Sequence, residues 1–329
     1  MSPTESVPYT AESHRPPCGR FAPSPSGRMH LGNLYTALAA WLCAKSQGGT
    51  FLLRMEDLDS LRCPRSFADL ILADLEWLGL SWDNGTVPYQ SERASIYTYY
   101  FDRLRQDDHL YPCFCSRAQL HVADAPHASD GRFVYAGTCR SLTPAEAAER
   151  ARRRSPAWRL RLPAEDLTFT DGHYGPQRYN LATDWGDIIV RRSDGVFAYQ
   201  LAVTIDDGLQ GVSQVVRGGD LLSSAAPQLY LSRLLGFRPP SYLHLPLLVA
   251  PDGSRLAKRE KACDTGFLRS LCDSPEPLLG YLAWLLGQLD KPEPLRAQEL
   301  LPFFDAKKIP ARDIVVPGDY WEKLQHKMG

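Results

Sequence analysis

What this chain of 329 residues lacks already narrows its function. It has no surplus of charge of either sign: 37 Lys and Arg stand against 38 Asp and Glu, so a polyanionic partner must be held by a local patch, because no global field attracts it. It has no long apolar run. The most apolar stretch, Pro277 to Leu286, is about ten residues with Gly280 inside it, against the ~20 that a bilayer-spanning helix needs, and no membrane partner is expected. Residues 1–17 mix Ser, Thr, Glu and Pro without an apolar h-region, so they read as a loose leader and not as a signal peptide. The eight cysteines have none of the regular spacing of a disulfide framework, which in a chain this long points to reduced thiols in a cytoplasmic protein and makes metal binding their natural use. There is no internal repeat. What is present, 44% hydrophobic and 10% aromatic residues, is enough to bury real cores and excludes a disordered chain. The length suggests about two domains.

From Cys18 the texture is α/β. Gly19 to Gly27 starts as a short strand and runs into a Pro/Ser/Gly loop. Leu31, Leu34, Tyr35, Leu38, Trp41 and Leu42 then recur at helical spacing up to Gly48-Gly49. Thr50 to Met55 reads as a strand that stops at Glu56-Asp57, completing a βαβ unit. Phe67, Leu70, Ile71, Asp74, Leu75 and Leu78 mark a further helix ending at Gly79, and another is expected around Ile96 to Leu104. The segment 111–195 reads as an insertion. It holds two close cysteines, a polar loop and an arginine-rich helix that starts at the capping box Thr143-Pro144-Ala145-Glu146. The strict alternation of Trp158-Arg159-Leu160-Arg161-Leu162 predicts a strand with one wet, basic face. The βαβ texture resumes with Phe197 to Ile205, Val215 to Asp220, a helix near Gln228 to Leu235 and a strand from His244 to Val249. The turn Pro251-Asp252-Gly253-Ser254 leads into the basic cluster Arg255, Lys258, Arg259 and Lys261, and helical patterning with several prolines follows.

The most informative segment is Pro23 to Asn33, a loop between a strand and the helix it opens. A helix start offers unpaired N–H groups and a positive dipole end, a natural cradle for polyphosphate. His30 can donate to an α-phosphate, and Gly32 leaves room for an adenine ring on the backbone. The basic run Ser254 to Arg259 lies more than 200 residues away in the other βαβ half, again at a strand end where open α/β sheets bind ligands.

Gly19-Arg20-Phe21-Ala22-Pro23-Ser24-Pro25-Ser26-Gly27 with His30-Leu31-Gly32-Asn33 resembles the "HIGH" region of class I glutamyl-tRNA synthetases. Leu53 to Asp59, Phe197 to Val203 and Val216 to Leu222 resemble the same family in the same order, and Arg255-Leu256-Ala257-Lys258-Arg259 takes the place of its "KMSKS" loop. The first lysine and the serine of that signature are Arg255 and Ala257 here, so Lys258 alone carries over as the pyrophosphate-stabilising ammonium. About seventy residues follow the loop, too few for a large helical anticodon-binding domain. The compact relatives similar in this respect, in the Pro-Ser-Pro-Ser-Gly variant and in the cysteine pattern are the glutamyl-Q tRNA(Asp) synthetases. They activate glutamate with ATP and esterify it to the queuosine base at the wobble position of tRNA(Asp).

The resemblance implies a Rossmann-type class I α/β catalytic core divided into a first half at 18–110, an acceptor-binding type insertion with a zinc site at 111–195, a second half at 196–262 and a short, mainly helical C-terminal region at 263–329. A monomer is expected, with ATP, Mg²⁺, L-glutamate and queuosine-containing tRNA(Asp) as partners. Glutamate's two carboxylates and one ammonium call for cations and an anion, which Arg20, Arg217 and Glu56 supply. By family match Arg20, Phe21, Ala22, Pro23, Ser24, Glu56, Tyr199 and Arg217 line the amino-acid site, His30, Gly32, Asn33 and Lys258 bind ATP, and His30 and Lys258 act in catalysis.

Cys113, Cys115 and Cys139 supply three thiolates, and a structural zinc wants four ligands. His121, His127 and Tyr135 are candidates for the fourth, chemistry alone favouring a histidine. The family pattern of Cys-x-Cys with Tyr-x-x-x-Cys points to Tyr135. Cys18, Cys43, Cys63, Cys263 and Cys272 read as packing residues. Arg150, Arg152, Arg153, Arg154, Arg159 and Arg161 form a local basic patch suited to tRNA phosphates.

Overall fold

The computed structural model describes residues 15–116, 134–254, 256 and 264–317. Strand β1 (Cys18–Phe21) pairs in parallel with β2 (Thr50–Leu53), Cys18 opposite Thr50, and α1 (Leu31–Lys45) makes the crossover between them. A parallel pair needs such a crossover, because its strands run the same way. The helix is buried almost all round. Besides the expected apolar stripe it hides Ala37, Ala39, Ala40, Cys43 and Ala44. A Cβ built on Gly19 would stand 3.0 Å from the Ala44 Cβ, so small residues facing one another let the helix lie directly on its sheet.

Helices α2 (Arg65–Trp77) and α3 (Ala94–Gln106) follow, then β3 (Leu110–Cys113), α4 (Pro144–Arg153), β4 (Ala157–Leu160), β5 (Asp166–Asp171), β6 (Gly175–Asn180) and β7 (Ile188–Arg191). Next come α5 (Tyr199–Leu209), β8 (Gln214–Gly218), α6 (Ala225–Leu235), β9 (Ser241–Leu245), β10 (Leu248–Val249), α7 (Thr265–Leu271), α8 (Glu276–Leu285) and β11 (Ile314–Val315). Phe197 to Ile205 is therefore chiefly the start of a helix. The strand expected from His244 to Val249 breaks at Pro246, whose missing N–H ends the ladder after Leu245.

The strands β8 and β9 are parallel, and the antiparallel hairpin β5–β6 extends that sheet in the order β6-β5-β9-β8. β1 runs beside β8, with Ser213 N–H donating to the Cys18 carbonyl at 2.9 Å. Strands β3, β4 and β7 form a separate antiparallel sheet. Two cores result. One packs α1 against β2, α2 and α8, and the other joins Tyr97 and Phe101 of α3 to Leu160, Phe197, Leu201 and Leu231. The α1–α8 contact gives the C-terminal segment a packing role.

Sequence alternation misplaces Arg159. As part of the central strand of its sheet it is 5% exposed, donates to the Asp187 carbonyl at 2.5 Å and lies 3.6 Å over the Tyr135 ring. The basic surface is instead α4, which buries no residue, and its Arg152 and Arg153 already pair with Glu149 at 3.3 and 3.1 Å.

Candidate active site

A cavity of about 600 Å³ opens at the carboxyl ends of β1 and β8, beside the start of α1. Its walls include Arg20, Phe21, Ala22, Pro23 and Ser24 on one side, His30, Gly32 and Asn33 on another, and Glu56, Tyr199 and Arg217 opposite. Local backbone bonds explain the juxtaposition. Arg54 N–H donates to the Phe21 carbonyl at 3.1 Å and Glu56 N–H to that of Pro23 at 2.9 Å, so the chain leaving β2 runs alongside the loop leaving β1.

His30 is the N-cap of α1. Its Nδ1 accepts from Gly32 N–H at 3.1 Å, while its own N–H donates to the Asn33 Oδ1 at 3.1 Å, a reciprocal capping box. An Nδ1 that accepts leaves the ring proton on Nε2. Burial pushes the imidazole below its ordinary pKa, so the neutral form is the donor. The first turn of α1 contains no acidic residue to oppose its positive end. Gly32 has a local reason to be glycine, since a Cβ there would stand 3.1 Å from the His30 ring.

Lys258, with Arg255, Ala257 and Arg259, lies outside the described residues. Described residues close to it in sequence reach the cavity and the His30 loop, however. Leu256 lines the cavity, Asp264 forms a β-bridge with His30, and Thr265 donates twice to the Met29 carbonyl, from N–H and Oγ1, each at 2.8 Å.

Behind the cavity is a buried charge network that sequence reasoning missed. Arg54, wholly buried, donates to Asp207 at 2.8 Å, Glu56 at 3.2 Å and Gln210 at 2.5 Å, and its Nε is 3.6 Å from Asp206. Asp206 also accepts from Arg93, Gln90 and Tyr97, each at 2.8 Å. Arg20 lies 3.4 Å from Asp207, and its buried Nε has no hydrogen-bond partner among the described residues. Burial pulls the Asp207 carboxyl up, yet Arg20 and Arg54 hold it below its ordinary value. For Glu56 burial wins over Arg54 and Arg20, and the carboxyl is pushed up. An ammonium group in the cavity would oppose that shift.

Arg217 is held from several sides. Its Nε donates to His244 Nε2 at 2.9 Å, Nη1 to Gln228 at 2.8 Å and Tyr199 Oη at 3.3 Å, and Nη2 to the Leu221 carbonyl at 3.2 Å. Asp206, Asp207 and Gln210 follow the Phe197 to Val203 block on the same helix, which is the only signal that could have found them.

A second cluster sits at the end of β3. The sulfurs of Cys113, Cys115 and Cys139 lie within 4.8 Å of one another. The Tyr135 Oη lies 3.4 Å from Cys113 and 3.7 Å from Cys115, and accepts from Cys139 N–H at 2.8 Å. Tyr135 is fixed there by a β-bridge to Gly186, where φ is 63° and a Cβ would stand 2.8 Å from the Tyr135 carbonyl oxygen. Burial raises the Cys115 thiol to about 11, whereas at Cys113 hydrogen bonds with Tyr135, the Cys115 backbone and Arg159 outweigh burial and lower it. The three thiols are a group that could hold a metal ion. His121 and His127 lie outside the described residues, as does Cys263. Cys43 is in the core, while Cys18, Cys63 and Cys272 are only half-buried.

The family model for the catalytic domain of class I tRNA synthetases (E and Q) matches residues 18–308. The chain is 50% identical over 313 residues to a glutamyl-Q tRNA(Asp) synthetase of Symbiobacterium thermophilum, covering 92% of this chain and 96% of that one. It is 44% identical over 316 residues to a glutamyl-Q tRNA(Asp) synthetase of Nitratidesulfovibrio vulgaris, covering 93% and 98% respectively. Its fold superposes on a glutamate tRNA ligase from Elizabethkingia meningosepticum, crystallised with its amino acid, with a TM-score of 0.78 at 25% identity, over 94% of this chain and 68% of that one. The expected class I α/β core is thus the observed one, and no described helix is long and apolar enough to cross a membrane. The chain belongs to the glutamyl-Q tRNA(Asp) synthetases, ligases built on the class I tRNA-synthetase catalytic domain.

Proposed function

We propose that this chain activates L-glutamate with ATP and transfers the glutamyl group to the queuosine base of tRNA(Asp). The observation that carries the reading is one cavity in which a helix start able to cradle polyphosphate adjoins a pocket bearing Arg20, Arg217 and Glu56. A glutamate carboxylate lies against the arginines and the ammonium against Glu56, with the Tyr199 hydroxyl and ring as a wall. The α-carboxylate oxygen attacks the α-phosphorus in line, the bond to the bridging oxygen breaks and pyrophosphate leaves. The His30 Nε2–H, the first amides of α1 and Lys258 stabilise the charge that gathers there. Mg²⁺, entering with ATP, supplies further neutralisation of the phosphates. A hydroxyl of the acceptor base then attacks the activated carbonyl, and AMP departs. The exposed arginines of α4 are proposed to contact tRNA phosphates, without the buried Arg159.

High identity to glutamyl-Q relatives over nearly the full length of both chains favours the base over the tRNA 3′ end as acceptor. The purified chain should exchange pyrophosphate with ATP only when glutamate is present, and should label queuosine-containing tRNA(Asp) but not the same tRNA lacking queuosine. Labelling of tRNA(Glu) in its place would assign it to the 3′ end, and absence of exchange would make it a binding paralogue.

For the thiol cluster we propose one structural zinc held by Cys113, Cys115, Cys139 and Tyr135. A tetrahedron with ~2.3 Å zinc–sulfur bonds has edges of about 3.8 Å. The observed Cys115–Cys139 and Cys115–Tyr135 separations are both 3.7 Å. Such a site ties β3 to the turn at Cys139 and stabilises the fold locally. Elemental analysis should give one zinc per chain, much reduced in Tyr135→Phe and retained in His127→Ala; zinc lost only from the histidine variant would transfer the fourth position to that imidazole.

A further inference from the structure

Arg217 is the cavity cation with the most protein partners, and one of them is unusual. An arginine buried in a charge network ordinarily meets a carboxylate, as Arg54 does here. The Nε of Arg217 instead meets an imidazole: His244 Nε2, 2.9 Å away and 0% exposed. A guanidinium has no acceptor and keeps its protons, so it is the donor and His244 Nε2 must present a lone pair. The ring proton is then on Nδ1, which lies 2.7 Å from the Asp171 carboxylate. Asp171 is held in turn by the backbone N–H groups of His173 and Tyr174 at 3.0 and 2.9 Å.

We propose that His244 is a positioning residue for substrate binding, a neutral acceptor, aligned by Asp171, that fixes the Arg217 guanidinium without neutralising it. The arrangement separates orientation from charge compensation. Of the five N–H groups of Arg217, one points to His244, two on Nη1 to Gln228 and Tyr199, and one on Nη2 to the Leu221 carbonyl. One Nη2 N–H is left for a ligand. All of its described hydrogen-bond partners are uncharged, so its full charge stays available to a carboxylate in the cavity, where burial makes a charge-assisted bond strong. A carboxylate at position 244 would hold the arginine equally well and cancel that charge. This inference rests on the reading of the cavity as a glutamate site.

The test is glutamate-dependent ATP–pyrophosphate exchange by the full chain. His244→Leu removes the acceptor, and the KM for glutamate should rise by about tenfold to a hundredfold, the range for losing a hydrogen bond to a charged group. The KM for ATP and kcat should stay within about threefold, because Arg217 binds ground and transition states alike. His244→Gln, which can still accept from Arg217 and donate to Asp171, should restore most of the glutamate KM. An unchanged glutamate KM in the leucine variant, or equal rises for ATP and glutamate, would overturn the proposal. If the leucine protein does not fold, Asp171→Asn reads the same relay: a several-fold rise in glutamate KM supports it, and none overturns it. A wild-type chain with no glutamate-dependent exchange would remove the underlying reading instead.

Discussion

Replacing Arg54 by methionine should destabilise the fold by about 3–5 kcal/mol in equilibrium urea unfolding at neutral pH, the cost of removing one partner from a buried ion cluster. Methionine fills much of the same volume, so the loss is one of charge and not of packing. Arg54 is wholly buried and touches the carboxylates of Asp207, Glu56 and Asp206, of which Asp206 is wholly buried and Glu56 faces the cavity. Arg93 still holds Asp206, and Arg20 still stands near Asp207, but Glu56 has no other described hydrogen-bond partner. The variant should also respond differently to acid. In the wild type the Asp207 carboxyl lies below its ordinary value, so its contribution is present above the ordinary carboxylate range and is lost as pH falls through the depressed value. Without Arg54 the carboxylates take up protons at higher pH, and protonation removes the unpaired charge. The difference between variant and wild type should therefore shrink between neutral pH and about pH 5. A loss below about 1 kcal/mol, independent of pH, would show that solvent reaches the cluster and that burial is not what makes it costly.

How much of this was legible in the sequence depended on range. The cap of α1 is local: His30, Gly32 and Asn33 lie within four positions, and a loop-to-helix junction announces itself through Pro, Ser and Gly. The cavity residues Arg20, Glu56, Tyr199 and Arg217 were found because each sits in a block resembling a known family. The network behind them was not found, because Arg54 and Asp207 are 153 positions apart and His244 and Asp171 are 73 apart. An arginine, an aspartate and a histidine read singly are ordinary surface residues, and only the parallel pairing of β8 with β9 and the hairpin added by β5 bring the last pair together. Arg159 shows a different limit. Alternation tells which side chains share a face of a strand but not whether water covers that face, and here Tyr135 covers it. Pro246 shows a third: apolar residues on both sides hid a single residue unable to donate to the ladder.

Replacing Lys258 by alanine should lower the rate of glutamyl-adenylate formation by about 10²–10³, the range for deleting one preorganised group at a site of developing charge. In the reaction proposed, negative charge moves onto the leaving pyrophosphate. Of the described groups beside the phosphate cradle, His30 is neutral and offers one N–H, the start of α1 supplies only about half an elementary charge, and Arg28 lines the same cavity as a side-chain cation. Arg20 pairs with Asp207, and Arg217, held by His244, is on the amino-acid side in the proposed reading. Near Lys258 in sequence, Leu256 lies in the cavity wall and Asp264 forms a bridge with His30. In the same stretch Ala257 has no hydroxyl to share the task, and Arg255 keeps a cation but with the fixed fork of a guanidinium in place of a compact ammonium. The loss should fall on kcat, with the KM for glutamate within about threefold, because the charge to be stabilised exists only in the transition state. Arg255→Ala should cost less than Lys258→Ala. An unchanged rate in the Lys258 variant would remove that residue from the mechanism, and a larger loss at Arg255 would assign the role to the guanidinium that departs from the family signature.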